Sequence, residues 1–346
     1  RIRTADGATA LMWAVTFDEQ AEKARLLLDA GAETNVYRRE GTPLMCWAAG
    51  FANEPAVMEM MLDHGGEIEA RMAREGLTPL MVAARAGNTV TIPVLVARGA
   101  KLEARSEKGL TPLAYAAEGA TATPEAIETL VKLGADIEAR DPDGTTPLMI
   151  ACQQKVADRA IKLIELGADV SAVNNRRETA LLYAAQSGNI DAALALLNAG
   201  ADPNDATNDG VTPLMVASMR GQPAIVRLLI SRGADVNAAN REGWTPLLLA
   251  RLVSTAEPLI DAGADLNART VEGWTAAHFA AEEGNLFLLR KLANAGADLT
   301  IRDRAGNNAV LAAAAKLAKN PELKGQAACI EFIEERLAQQ GEAATP

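Results

Sequence analysis

The sequence predicts an all-α repeat solenoid, made of one helix–turn–helix unit repeated about ten times. Three observations carry that prediction. Threonines recur at near-fixed spacing, at Thr78, Thr111, Thr146, Thr179, Thr212, Thr245 and Thr275, with Thr9 and Asn308 as end members; from Thr146 to Thr245 they follow one another every 33 residues. Glycines recur in parallel, at Gly31, Gly65, Gly99, Gly134, Gly167, Gly200, Gly233, Gly263 and Gly296. The chain's 346 residues exceed what one core usually serves, yet no linker or change of composition divides them. A stack of units, each contacting only its neighbours, removes that conflict.

Residues 208–240 show how one unit is built. Asp209 and Gly210 signal a turn, Thr212 can cap a helix, and Pro213 suits its first position, where the missing N–H would have had no partner. Leu214, Val216 and Ala217 form an apolar stripe, and Gly221 can end the helix in a left-handed conformation. Pro223 opens a second helix whose Ile225, Val226, Leu228, Leu229 and Ile230 bury one face; Gly233 closes it, and 234–237 run extended into the next turn. Such a unit has two apolar faces and no partner for either, so it folds only against copies of itself.

The 33-residue period, the turn followed by two helices and the recurrent Thr-Pro-Leu resemble the ankyrin repeat. The resemblance covers ten units, at 1–36, 37–72, 73–105, 106–140, 141–173, 174–206, 207–239, 240–269, 270–302 and 303–339, read as a single domain with a disordered tail at 340–346. It implies an L-shaped unit, with two antiparallel helices and a β-hairpin-like loop projecting at right angles. It also implies a curved stack whose partners are proteins, bound through the hairpin tips and the concave face of the first helices.

Composition narrows the partners. A formal net charge of −11 argues against nucleic acid and against an anionic membrane surface, and favours basic or apolar partners. No apolar run approaches the roughly 20 residues of a membrane span. Three cysteines are too few for a disulfide framework. Cys46 and Cys152 lie three units apart, about 25–30 Å at 8–10 Å per packed layer, so they read as small core residues. The chain starts at Arg1, inside a hairpin, which fits either a removed signal peptide or a fragment of a longer protein; a cytoplasmic and an exported location both stay open.

Departures from regularity come next, in chain order. Trp13 and Trp47 fall where other units carry Val82, Ile150, Val216 and Leu249, a position read as buried. For Trp47 this holds if Gly41 is kept as the turn glycine. Units 1, 2 and 4 carry extra residues between their helices, in unit 4 at 119–124. Glu69/Arg71, Glu103/Arg105 and Glu138/Arg140 repeat at the hairpins, each pair pointing to one side of an extended segment. They form either a solvated ladder or a mixed-charge surface for a partner. Unit 6 has Arg177 at the turn glycine, so the turn is either remodelled or strained. Unit 8 is three residues short; Ser254 to Glu257 offer a capping box for its second helix with Pro258 in the first turn, and Arg251 must snorkel out of the stack or open it. Unit 9 alone keeps a histidine, His278, which in the resembled family joins adjacent turns by hydrogen bonds. In unit 10, Cys329, Ile330, Ile333 and Leu337 face inward on an amphipathic helix.

Val211, Trp244 and Trp274 share one slot, after the turn glycine, in three successive units. They either pack between neighbouring hairpins or form an apolar column for a partner, with Met219, Arg241, Glu242 and Glu282 as its polar rim. Arg71, Arg105 and Arg140 are the second group of candidate contacts. No phosphate loop, dinucleotide fingerprint, zinc spacing or nucleophile elbow appears, so no enzyme, cofactor or metal is expected. The function read from this is a non-catalytic scaffold, monomeric, binding a protein. Its alternatives are the repeat region of a larger enzyme or secreted effector, or an inhibitor of an enzyme.

Overall fold

A computed structural model describes residues 4–5, 7–16 and 20–343, and the chain divides into two compact units, 1–175 and 176–346. In the first, the helix pairs are α1 (Ala10–Ala14) with α2 (Gln20–Asp29), α3 (Leu44–Phe51) with α4 (Pro55–Asp63), α5 (Pro79–Ala86) with α6 (Thr91–Ala97), α7 (Pro112–Glu118) with α8 (Pro124–Lys132), and α9 (Pro147–Cys152) with α10 (Asp158–Glu165). In the second they are α11 (Ala180–Ser187) with α12 (Ile190–Asn198), α13 (Pro213–Met219) with α14 (Pro223–Ser231), α15 (Pro246–Leu249) with α16 (Val253–Asp261), α17 (Ala276–Glu282) with α18 (Leu286–Ala295), and α19 (Ala309–Lys319) with α20 (Lys324–Ala343). Among the described residues there is no strand; Tyr37 and Pro43 form an isolated antiparallel bridge. The fold is an all-α repeat solenoid.

The first helices start where the threonines predict. Thr9, Thr78, Thr111, Thr146, Thr179, Thr212 and Thr245 each accept the amide of the residue three further on through the side-chain oxygen. Such a cap contributes about 1 kcal/mol. In repeat 2, Gly41 keeps the left-handed turn and Pro43 takes the cap position with no side-chain bond. Repeat 6 keeps the same turn without glycine: Arg177 has φ 59° and is the one non-glycine residue in that region among those described. The strained alternative therefore holds, at about 1–2 kcal/mol for a side chain in left-handed geometry.

The layers meet through small and branched apolar residues, such as Ala83, Ala84, Ala116 and Ala117 in the first unit and Ala184, Ala185, Leu214 and Ala217 in the second, all buried. Cys46, Cys152 and Cys329 are free, buried thiols, and burial pushes the first two up to about 12. The extra loop of repeat 4 is sewn to its neighbours. Thr121 Oγ1 donates to Arg85 O at 3.2 Å, and the buried guanidinium of Arg159 donates to Gly119 O. That burial lowers the pKa of Arg159 below its usual value. The corresponding connection in repeat 1 includes 17–19, outside the described residues.

Four expectations need correcting. Trp13 is 47% exposed and not core. Trp47, at the same position one repeat on, is half-buried, with Nε1 donating to Thr16 Oγ1 at 3.0 Å and Phe51 against its ring. In repeat 8, α16 begins at Val253 behind Leu252, with no side-chain cap, so there is no capping box at Ser254 and Pro258 lies inside the helix. The deletion shortens α15 to four residues, and the apolar Leu259 and Ala256, both buried, set where α16 must lie. Finally, α20 runs on to Ala343 where a disordered tail was expected from 340; residues 344–346 lie outside the described residues. Within α20, Cys329 and Ile333 are buried, Ile330 and Leu337 half-buried.

Candidate functional site

The charged hairpin residues turn out to address backbone rather than one another. Glu69 accepts the amide of Lys101 at 2.9 Å, Glu103 that of Asp136 at 2.9 Å, and Glu138 that of Asp169 at 2.8 Å, each in the following repeat. Arg71 Nη1 donates to Gly76 O and Arg105 O, Arg105 Nη1 to Gly109 O and Arg140 O, and Arg140 Nη1 to Gly144 O and Val173 O. Each guanidinium thus clamps its own turn to the next layer. Burial holds the Glu138 carboxyl above its usual range. These three arginines, candidate contacts by sequence, already have intramolecular work.

Val211, Trp244 and Trp274 do occupy one backbone slot, since their carbonyls accept the hairpin-closing amides of Thr207, Asn240 and Thr270. Their side chains part company. Trp244 and Trp274 are half-buried and share Phe279 of α17: Trp244 stacks on it at 5.0 Å and Trp274 lies tilted at 4.9 Å. Arg251 snorkels out of the shortened repeat onto the same ring, its Cζ 4.2 Å from the centroid, with Nη1 3.2 Å from Glu283. Nη1 is nevertheless buried and has no aligned hydrogen-bond acceptor. Aromatic pairs of this kind contribute about 0.5–1.5 kcal/mol beyond their burial. Packing is therefore real, but on a first helix rather than between hairpins. Phe279 was missed by the sequence reading, although it sits six residues after the turn glycine, as Trp13 and Trp47 do.

Val211 instead lines a half-open cleft of about 580 Å³ between repeats 6 and 7. Leu182 and Val216, both buried, close its base, and Met219, 53% exposed, stands at its edge. Its charged residues are Arg176, Glu178, Asp209 and Arg220. Glu178 accepts the Tyr183 hydroxyl at 2.6 Å, and Asp209 lies 3.7 Å from Arg241. Of the remaining rim candidates, Glu242 is exposed and Glu282 pairs with Lys316 at 3.1 Å, from α17 to α19.

His278 is a joint rather than a reactive group. The Thr275 amide donates to its Nδ1 at 3.2 Å, so Nε2 carries the proton and donates to Asn307 O, 3.1 Å away in the next repeat. Burial lowers its pKa below 6.5. Among the described residues no group of three His, Cys, Asp or Glu is placed to hold a metal, and no helix is long and apolar enough to cross a membrane.

Models of ankyrin repeats in the form of three copies match residues 44–141, 120–207 and 200–270, and a single-repeat ankyrin model matches 272–304. Comparison with curated proteins finds no match. The matched stretches take up most of the sequence and coincide with helix pairs, capped and closed as described above, so the chain belongs to the ankyrin repeat family.

Proposed function

We propose that this chain is a non-catalytic scaffold whose protein partner lies across the first-helix face of repeats 7 to 9. Ankyrin repeats are general protein–protein interaction modules. The observation that carries the local assignment is the half-buried Trp244–Phe279–Trp274 group with Arg251 stacked on it. Four large planar groups sharing one surface present rigid contact area, the kind that dominates interface energy. Val211 and Met219 extend the apolar surface at the neighbouring cleft, and Arg241, Glu242 and Glu282 border it.

Affinity capture followed by mass spectrometry tests this, using the intact chain, a Trp244→Ala/Trp274→Ala double variant and Phe287→Ala. Phe287 is 79% exposed on α18 and serves as the control. Proteins held by the intact chain and the Phe287 variant should be lost from the double variant, with affinity at least about tenfold weaker. A melt confirms that the double variant is folded. Capture unchanged by the double substitution would overturn the assignment.

A further inference from the structure

We propose that the cleft between repeats 6 and 7 takes an acidic side chain flanked by an apolar one, presented by a peptide segment of the partner. This rests on the scaffold function proposed above and names what that scaffold recognises. The cleft, at about 580 Å³, is within the range of ligand pockets and large enough for two side chains. Its base and one wall are apolar, through Leu182, Val216, Val211 and Met219.

Charge chooses the second half of the ligand. Both acidic residues of the lining are already answered, Glu178 by the Tyr183 hydroxyl and Asp209 by Arg241. Arg220 is exposed and its guanidinium has no hydrogen-bond or ion-pair partner among the described residues. In a chain with a formal net charge of −11, a cation left unanswered at the edge of an apolar cleft stands out. A guanidinium presents a planar fork of donors that matches a carboxylate in two parallel bonds. The apolar walls give such a carboxylate an apolar neighbour to bring with it, and this distinguishes a peptide from a bare anion.

A second observation bears on the same wall. Arg176 and Glu178 flank Arg177, the residue held in the left-handed region where other repeats use glycine. Strained backbone collects at binding sites, where surrounding structure holds it in place. Arg220 also ends α13, where a cation is favoured by the helix dipole, and that purely structural role must be separated from binding.

The probe is a random heptapeptide library displayed on phage, selected in parallel on the intact chain, Arg220→Gln, Arg220→Lys, Arg232→Gln and the Trp244→Ala/Trp274→Ala variant. Arg232 is an exposed arginine that likewise ends a helix, α14, but lies outside the cleft. Peptides pairing Asp or Glu with an adjacent apolar residue should be enriched on the intact chain. Their enrichment should vanish with Arg220→Gln, survive Arg232→Gln, and recover in part with Arg220→Lys. Synthetic copies should bind Arg220→Gln about tenfold more weakly by fluorescence polarisation, with the melting midpoint unchanged. No such enrichment, or enrichment indifferent to Arg220, overturns the proposal. Partner capture that still depends on the tryptophans would then leave the scaffold function standing, whereas loss of both would remove the two together.

Discussion

The hairpin roots of repeats 2 to 4, in the first compact unit, and of repeats 6 to 8, in the second, solve one problem with different chemistry. In the second unit, Asn204 and Asn237 each accept an amide of the next repeat through Oδ1, from Asp235 at 2.8 Å and Asp265 at 2.7 Å. The same side chains donate through Nδ2 to Gly233 O and Gly263 O. In the first unit Asn35 does the same toward Glu67 N and Gly65 O, but Glu69, Glu103 and Glu138 at that position can only accept, and the arginine two residues on donates to a different carbonyl of the next layer. A carboxamide carries both functions in one neutral group; a carboxylate carries only the acceptor, and with it a charge. Backbone geometry is thus preserved by two sets of side chains whose responses to charge differ.

The largest effect expected from this difference is at Arg159, which does by charge in repeat 5 what smaller neutral groups do elsewhere. Arg159→Met removes the charged donor to the Gly119 carbonyl, which keeps only the Ala122 amide at 3.2 Å. A hydrogen bond from a charged donor contributes about 1.5–3 kcal/mol. Urea denaturation should show that loss, with hydrogen exchange fastest at 119–124. An unaltered midpoint would mean that the loop holds itself.

Swapping the two root chemistries is expected to act in opposite directions. Asn237→Asp keeps the acceptor, loses the donor to Gly263 O, and sets a carboxylate against a carbonyl, for a loss of about 0.5–1 kcal/mol. Glu138→Gln keeps its acceptor and removes a partly buried charge that lies near Asp169 and Asp136, for a gain of up to about 0.5 kcal/mol. Denaturation midpoints of the two variants should move apart; movement in the same direction would show that the roots are not equivalent.

The smallest effect is in pH. His278 has its pKa lowered, so its contribution is fully present above the unfolded value of 6.5 and is lost as pH falls through the folded value. Glu138 has its pKa raised, so its contribution is fully present below 4.5 and lost as pH rises through the folded value. Acidification from pH 7.5 to 5.5 should therefore weaken the second unit at repeats 9 and 10, while the Glu138 root moves the other way. His278→Met, with the residue found at the same slot as Met81, Met149 and Met215, should flatten the stability profile over that range. A profile unchanged by this substitution would assign the acid response to other groups.

Much of the fold was legible because it is written in local chemistry. A threonine that caps a helix, a proline at its first position and a glycine that closes it act within a few residues of their own backbone. The starts of α5, α7, α9, α11, α13, α15 and α17 could therefore be placed from sequence. The slot shared by Val211, Trp244 and Trp274 was legible for the same reason, because the hairpin-closing bond spans only four residues. Where local signals conflict with packing, packing prevails: Ser254 is a good cap, yet α16 starts at Val253 because Ala256 and Leu259 must reach the core.

What the sequence by itself determined is the repeat, its period and the positions of its helices, since each follows from bonds between near neighbours. Only the tertiary structure decided what the side chains face, because those partners lie about thirty residues away in another layer. Identical slots then part: Trp13 is exposed while Trp47 is held by Thr16. Arg71 and Arg105 clamp carbonyls 34 and 35 residues on, whereas Arg220 clamps nothing. Phe279 gathers two tryptophans and Arg251 onto one ring from two successive layers. A side chain's partner is set by the stacking of repeats, and stacking distance is not a quantity that spacing along the chain contains.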